Sequence, residues 1–183
     1  MSTKTRGIQF RIVLFGTEKP IWRRFIVPDT ISLKKFHEVI QAVMGWENEH
    51  PFSFTLGREV FNVSFRKDIE DALREFNAVK VRSFFYKPGA CGQYEYDFGD
   101  GWSHIIVMES FCTPGSQKYL CVDGAMACPP ENVGGLQGYS DLCQKAKTRK
   151  SGKGDTAKGD LKPDYNPEAF DLKEVNAKLK KIR

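Results

Sequence analysis

The chain predicts a compact α+β fold in a single domain, 1–183, and three observations carry that expectation. Short runs alternate apolar and polar residues with the period of two of a half-buried strand. Two longer runs repeat with the period of one helix face, and glycine- and proline-bearing turns separate them. At 183 residues the length suits one hydrophobic core, and 40% apolar residues, 14 of them Phe, can fill it. The predicted order is an N-terminal β-hairpin, a helix, antiparallel strands, and helices at the C-terminal end.

The elements follow in turn. GIQFRIVLF at 7–15 alternates, GTEKP turns, and IWRRFIVP at 21–28 returns as the second strand of a hairpin that Pro28 stops. Ser32 then stands where an N-cap should, before a helix through Met44 with Leu33, Phe36, Ile40 and Val43 on one face and Gly45 as its stop. That apolar stripe is expected to pack on the hairpin. HPFSFTLG at 50–57 is a third strand, and 58–90 reads as loop with a short helix around Asp68 to Phe76. YEYDFGDGWSHIIVME places two strand-like runs around Asp100-Gly101, a dipeptide suited to a two-residue hairpin turn. With that turn, Asp97 faces His104 across the pair, and a carboxylate opposite an imidazole can charge it, fix its tautomer or support it as a ligand. The plain alternative is a register pair, and a longer loop would break the pairing altogether.

YLCVDGAMACPPENVGGLQGY reads as loop, stiffened at Pro129-Pro130 and bendable at Gly134-Gly135. A short helix is expected from Gly138 to Lys147. The stretch 148–165, rich in Lys, Gly and Asp, reads as a flexible basic surface loop. Asp171 with Glu174 three positions on opens a last helix carrying Leu172, Val175 and Leu179.

Charge and cysteine content narrow the function classes. From Lys145 to Arg183 there are 12 Lys and Arg against 6 Asp and Glu, so the rest of the chain is nearly neutral. A basic tail with few aromatics supports nucleic-acid binding only weakly. No apolar run approaches the length of a membrane span, and MSTKTRGIQF lacks the apolar segment of a secretion signal. A cytoplasmic protein with its five cysteines reduced is expected, and no membrane partner.

Five runs, KPIWRRFIVPD, SLKKFHEVIQAVMGWENEH, YEYDFGDGWSH, CVDGAMACPPENVGG and NPEAFDLKEVNAKL, come in an order that resembles the plasmid pRiA4b ORF-3-like family. The resemblance implies an α+β domain and a link with plasmids or transposable elements. It names no activity. It draws attention to Trp22, Arg23, Arg24, His37, Trp46, His50, Asp97, Asp100, Trp102, His104, Asp123, Cys128, Glu131 and the paired glycines. Two departures stand out: Phe52 occupies a position where many members have a second histidine, and the lysine-rich insert lies between Lys147 and Asn166.

Several chemistries compete for these residues. Cys121 and Cys128 are spaced too widely for a zinc knuckle, so zinc would need His104 and His50 as well. Asp97, Asp100 and Glu131 offer oxygens to a divalent metal, although Asp-Gly also suits a tight turn. Cys128 as nucleophile would need His104 as base. Arg23 and Arg24 point to opposite faces of their strand. The inward one is expected to pair with Asp97 or Glu95, or to anchor an anionic ligand.

The reading that uses most of these residues is a non-catalytic binding module, with Arg23, Arg24, His50, Asp97, Asp100, Trp102, His104, Cys128 and Glu131 as binding candidates. Its partner is a protein or a small molecule of unknown kind, and the sequence assigns neither metal nor cofactor. The alternative is a metal-assisted hydrolase acting on a phosphate-containing or nucleic-acid substrate.

Overall fold

The computed structural model describes residues 6–63, 69–113, 115–150 and 165–182. The strands are β1 (Gly7–Leu14), β2 (Ile21–Pro28), β3 (Phe52–Leu56), β4 (Glu59–Asn62), β5 (Cys91–Tyr96), β6 (Trp102–Cys112) and β7 (Leu120–Ala125). They form one sheet in the order β4-β3-β5-β6-β1-β2-β7, with every neighbouring pair antiparallel. The helices are α1 (Leu33–Met44), α2 (Ile69–Ala78), α3 (Gly135–Lys150) and α4 (Leu172–Leu179).

The period-two pattern of β1 and β2 does what it predicts. Ile8, Phe10, Ile12 and Leu14 are buried with Ile21, Phe25 and Val27, while Gln9, Arg11, Trp22 and Arg24 face outward. Helix α1 begins where Ser32 Oγ accepts from Lys35 N and ends at Gly45, whose φ of 105° is a left-handed stop that glycine adopts freely. Its stripe sets Phe36 against Phe10 and Phe25, with ring centroids 5.0 and 5.9 Å apart. Burying a ring of this size contributes about 1.5–3 kcal/mol, so the helix and hairpin stabilise each other.

Three elements differ from expectation. Residues 58–90 contain strand β4 as well as α2, followed by a single 3-10 turn at Val81–Ser83. In the 120–135 stretch the first six residues form β7, at the sheet edge, where only Cys121 is buried and alternation is faint. Helix α3 starts three residues early, at Gly135, and runs through 148–150, which were expected to be loop. The rest of that expected loop, 151–164, lies outside the described residues.

Helix α4 opens as predicted, with Asp171 Oδ1 accepting from Lys173 N and Glu174 N. It packs along β7 and closes that edge: Asn176 accepts from Cys121 N and donates to Cys121 O, both at 2.9 Å. At Cys121 the amide side chain thus occupies one donor and one acceptor that a further strand would use.

Candidate functional site

Three loops converge at one end of the sheet: 45–51 after α1, 97–101 between β5 and β6, and 127–135 between β7 and α3. The first is held by a closed circuit of hydrogen bonds. Gln41 Nε2 donates to Tyr94 OH at 2.9 Å, Tyr94 OH donates to His37 Nδ1 at 2.9 Å, His37 Nε2 donates to Asn48 Oδ1 at 2.6 Å, and Asn48 N returns to Gln41 Oε1 at 2.9 Å. A neutral His37 protonated at Nε2 satisfies every one of these directions. Burial holds its imidazole down at about 4, and Phe52 stacks flat on it at 3.5 Å. Phe52 is thus a platform for His37.

The expected pairing of Asp97 with His104 does not form. β5 and β6 pair Tyr94 with His104 and Tyr96 with Trp102, so the connection is five residues, Asp97 to Gly101. Asp97 instead adopts a left-handed φ of 54°, and its Oδ1 accepts from the N–H groups of Gly99 and Asp100. Such a side-chain cap on the following turn is characteristic of aspartate. His104 Nδ1 donates to the Tyr94 carbonyl at 3.1 Å, which leaves Nε2 bare in the core. Burial lowers this imidazole too, to about 4.

Asp97 meets another histidine. His50 Nε2 lies 3.6 Å from Asp97 Oδ2 and 3.7 Å from Glu131 Oε2. Both carboxylates are locked by their other oxygen: Glu131 Oε1 accepts from Tyr96 OH at 2.9 Å and from Glu47 N at 3.0 Å. His50 Nε2 and Glu131 Oε2 are buried and lack a hydrogen-bond partner, the kind of exception that marks a ligand or water position. Burial and the Glu131 carboxylate together raise the Tyr96 phenol well above its ordinary range, so it remains a donor.

The third loop is pinned by Trp46 Nε1, which donates to Pro129 O at 3.0 Å, and by Gly134 N, which donates to Asp100 Oδ2 at 3.2 Å. Gly134 and Gly135 have φ of 90° and 64°, and a Cβ on Gly135 would lie 2.8 Å from the Asp100 carbonyl oxygen. Gly135→Ala is therefore expected to lower stability by at least 1–2 kcal/mol, roughly the cost of a left-handed alanine before the clash is counted. A urea titration of that variant beside wild type checks it.

The arginines also depart from expectation. Arg23, the inward one, pairs with no carboxylate. Its guanidinium donates to the carbonyls of Val43, Trp22, Ala125 and Met126, all at 2.8 Å, and lies over Phe170 at 4.5 Å. Four of the five N–H donors of the fork are spent on main chain, so it is a structural staple between α1, β2 and β7 rather than an anion anchor. Arg24 is outward and engages Glu109 with two bonds of 2.6 and 3.0 Å, with Asp123 at 3.6 Å.

Cysteine chemistry finds no support here. All five cysteines are free thiols. Burial raises Cys121 to about 11 and pushes Cys128 higher still, so neither supplies a thiolate at neutral pH. His104 is fully buried and cannot reach solvent as a base. Among the described residues no three His, Cys, Asp or Glu side chains are arranged to hold a metal ion.

Of the nine candidates, His50, Asp97 and Glu131 converge, with Asp100 bracing the adjoining loop. Trp102 and His104 lie in the core at 0% exposure, and Arg23, Arg24 and Cys128 serve packing or ion pairs. Tyr96 and the Glu47 amide were missed. The alternation of YEY, which turns Tyr94 and Tyr96 to one face, was the available signal for the phenol.

Beside the cluster a groove of about 420 Å3 runs between the 45–49 loop, the 127–131 loop and α4. Its wall carries Glu47, Glu49, Glu131, Asp171 and Glu174. Against these, Lys178 pairs with Glu174 at 3.3 Å and Arg23 is consumed by carbonyls. The groove is therefore acidic. No described helix is long and apolar enough to cross a membrane.

Comparisons with known proteins agree with this architecture. The uncharacterised protein y4hQ of Sinorhizobium fredii is 35% identical over 139 residues, covering 75% of this chain and 71% of that protein. The crystal structure of a protein of unknown function, MM3350 of Methanosarcina mazei Go1, superposes with a TM-score of 0.73 at 26% identity, over 94% of this chain and 99% of the other. The family profile of plasmid pRiA4b ORF-3-like proteins matches residues 6–174, and the chain belongs to that family.

Proposed function

We propose that the protein is a non-catalytic binding module whose ligand presents a positively charged hydrogen-bond donor, a protonated amine or a guanidinium, to the acidic groove. One observation carries this reading: Glu131 lines the groove, and its Oε2 is buried without a hydrogen-bond partner, 3.7 Å from a His50 Nε2 that also lacks one. A buried acceptor of this kind costs free energy until a donor arrives. The surrounding carboxylates focus a negative potential that draws cations in and repels phosphate. The same sign of charge argues against nucleic acid as the occupant of this groove.

Isothermal titration with spermidine and with an oligoarginine peptide at low salt tests the proposal. Saturable binding is expected, weakened about tenfold or more by Glu131→Gln, which removes the charge yet keeps an oxygen for Tyr96 and Glu47; a tenfold change is 1.4 kcal/mol. Added salt should weaken binding further. No saturable binding of either probe, or binding unchanged in Glu131→Gln, would overturn the reading.

A further inference from the structure

We propose that the outward face of the sheet around Arg11 and Trp22 is a docking surface for an acidic, partly apolar segment of a partner protein. The register across β6, β1, β2 and β7 sets Ile105, Val13, Trp22 and Ala125 in one row. The next row holds Val107, Arg11, Arg24 and Asp123. An apolar row thus lies directly beside a charged one. The apolar row is incompletely covered: Ile105 is 43% exposed, and Phe15, just beyond the end of β1, is 68% exposed.

The charged row is unevenly satisfied. Arg11 and Arg24 stand directly opposite each other, a like-charge pair that is unfavourable by itself. Both guanidiniums lie against the Trp22 indole, at 5.0 and 5.4 Å from its ring centroid. The acids of this face bond directly to one arginine only: Glu109 chelates Arg24, with Asp123 3.6 Å from it, and Glu109 acts on Arg11 through space alone. Arg11 has no hydrogen-bonded or ion-paired acid among the described residues, and its Nε is buried without an acceptor.

A guanidinium in that state, fixed on an indole and flanked by aliphatic side chains, is complementary to a carboxylate with an apolar neighbour. The charge-assisted bond it lacks is a strong one, and arginine and tryptophan are the residues that most often anchor protein interfaces. An extended segment alternating acidic and aliphatic residues matches both rows at the side-chain period of two.

Trp22 makes the test direct, because Trp46 and Trp102 are buried at 6% and 0% exposure and only Trp22 borders this face. A decapeptide alternating glutamate and leucine is titrated into the full chain while tryptophan emission and its quenching by iodide are followed. A saturable change with protection from iodide is expected. It should be absent in Trp22→Phe and weakened about tenfold or more in Arg11→Glu, which should instead bind an oligolysine peptide. Circular dichroism confirms that both variants fold. The proposal fails if Arg11→Glu binds the acidic peptide as wild type does, or if an oligothymidylate protects Trp22 better than the peptide. It fails equally if the chain dimerises and shields Trp22 with no peptide present.

Discussion

Acidification from pH 7 to pH 4 is expected to remove about 5–6 kcal/mol of stability through two buried histidines. His37 and His104 have folded pKa values of about 4 against 6.5 when unfolded. Between those limits the unfolded chain binds more protons, so stability is complete above pH 6.5 and falls as the pH approaches 4. Each histidine contributes about 3 kcal/mol across this window, since one pKa unit is 1.36 kcal/mol. The sum is a large share of the 5–15 kcal/mol typical of a whole domain. Urea titrations at half-unit steps from pH 7.5 to 4.5 should show the midpoint falling continuously, with an uptake approaching two protons on unfolding. A midpoint that holds steady down to pH 4.5 would contradict the assigned neutral states. The cause differs between the two sites. Protonating His37 costs Nδ1 its role as acceptor from Tyr94 OH while the Nε2 bond to Asn48 is kept, whereas protonating His104 places a bare charge at 0% exposure.

Replacing Arg23 by leucine is expected to cost about 3–5 kcal/mol, the range seen when one partner of a buried charged network is removed. The side chain is 3% exposed, and its loss removes the donors of the Val43, Trp22, Ala125 and Met126 carbonyls together with the packing of the guanidinium on Phe170. At a urea dependence of about 2 kcal/mol per molar the midpoint should drop by roughly 2 M. Arg23→Lys should recover less than half of this, because an ammonium cannot present a planar fork to carbonyls from three elements. Full recovery by lysine would show that charge alone, not the fork, is what the site needs. Met126 and Ala125 lead directly into the 127–131 loop, so either variant is also expected to weaken cation binding in the acidic groove.

The contrast between Arg23 and Asp97 shows what the sequence could convey. Alternation in IWRRFIVP identified the strand and put one arginine inside, because periodicity is a local property of the chain. It could not say that the inward arginine would be met by carbonyls, since those arrive from residues about 20 and 100 positions away. For Asp97 the local signal misled: Asp100-Gly101 suits a two-residue turn, yet the carboxylate of Asp97 caps its own loop and forces a longer one. The Ser32, Gly45 and Asp171 caps were legible for the same reason that the strands were, with each determined within a few residues. His50 and Glu131 were individually singled out, but their convergence depends on a 45–51 loop closed by Gln41, Tyr94 and His37. β4 and β7 escaped notice because each buries a single hydrophobic residue, Phe61 or Cys121.

The asparagine that seals β7 also limits how copies of this chain can associate. A sheet with two open edges is a polymer unit, because each added copy presents a fresh edge to the next. Asn176 takes the Cys121 N–H and carbonyl of β7, so among the described strands that stretch of the edge is obstructed while β4 ends the sheet at the other side. An antiparallel pairing of β4 with its own copy would relate two chains by a twofold axis and use both β4 edges. Edge-to-edge growth through the Cys121 stretch of β7 would first require α4 to detach.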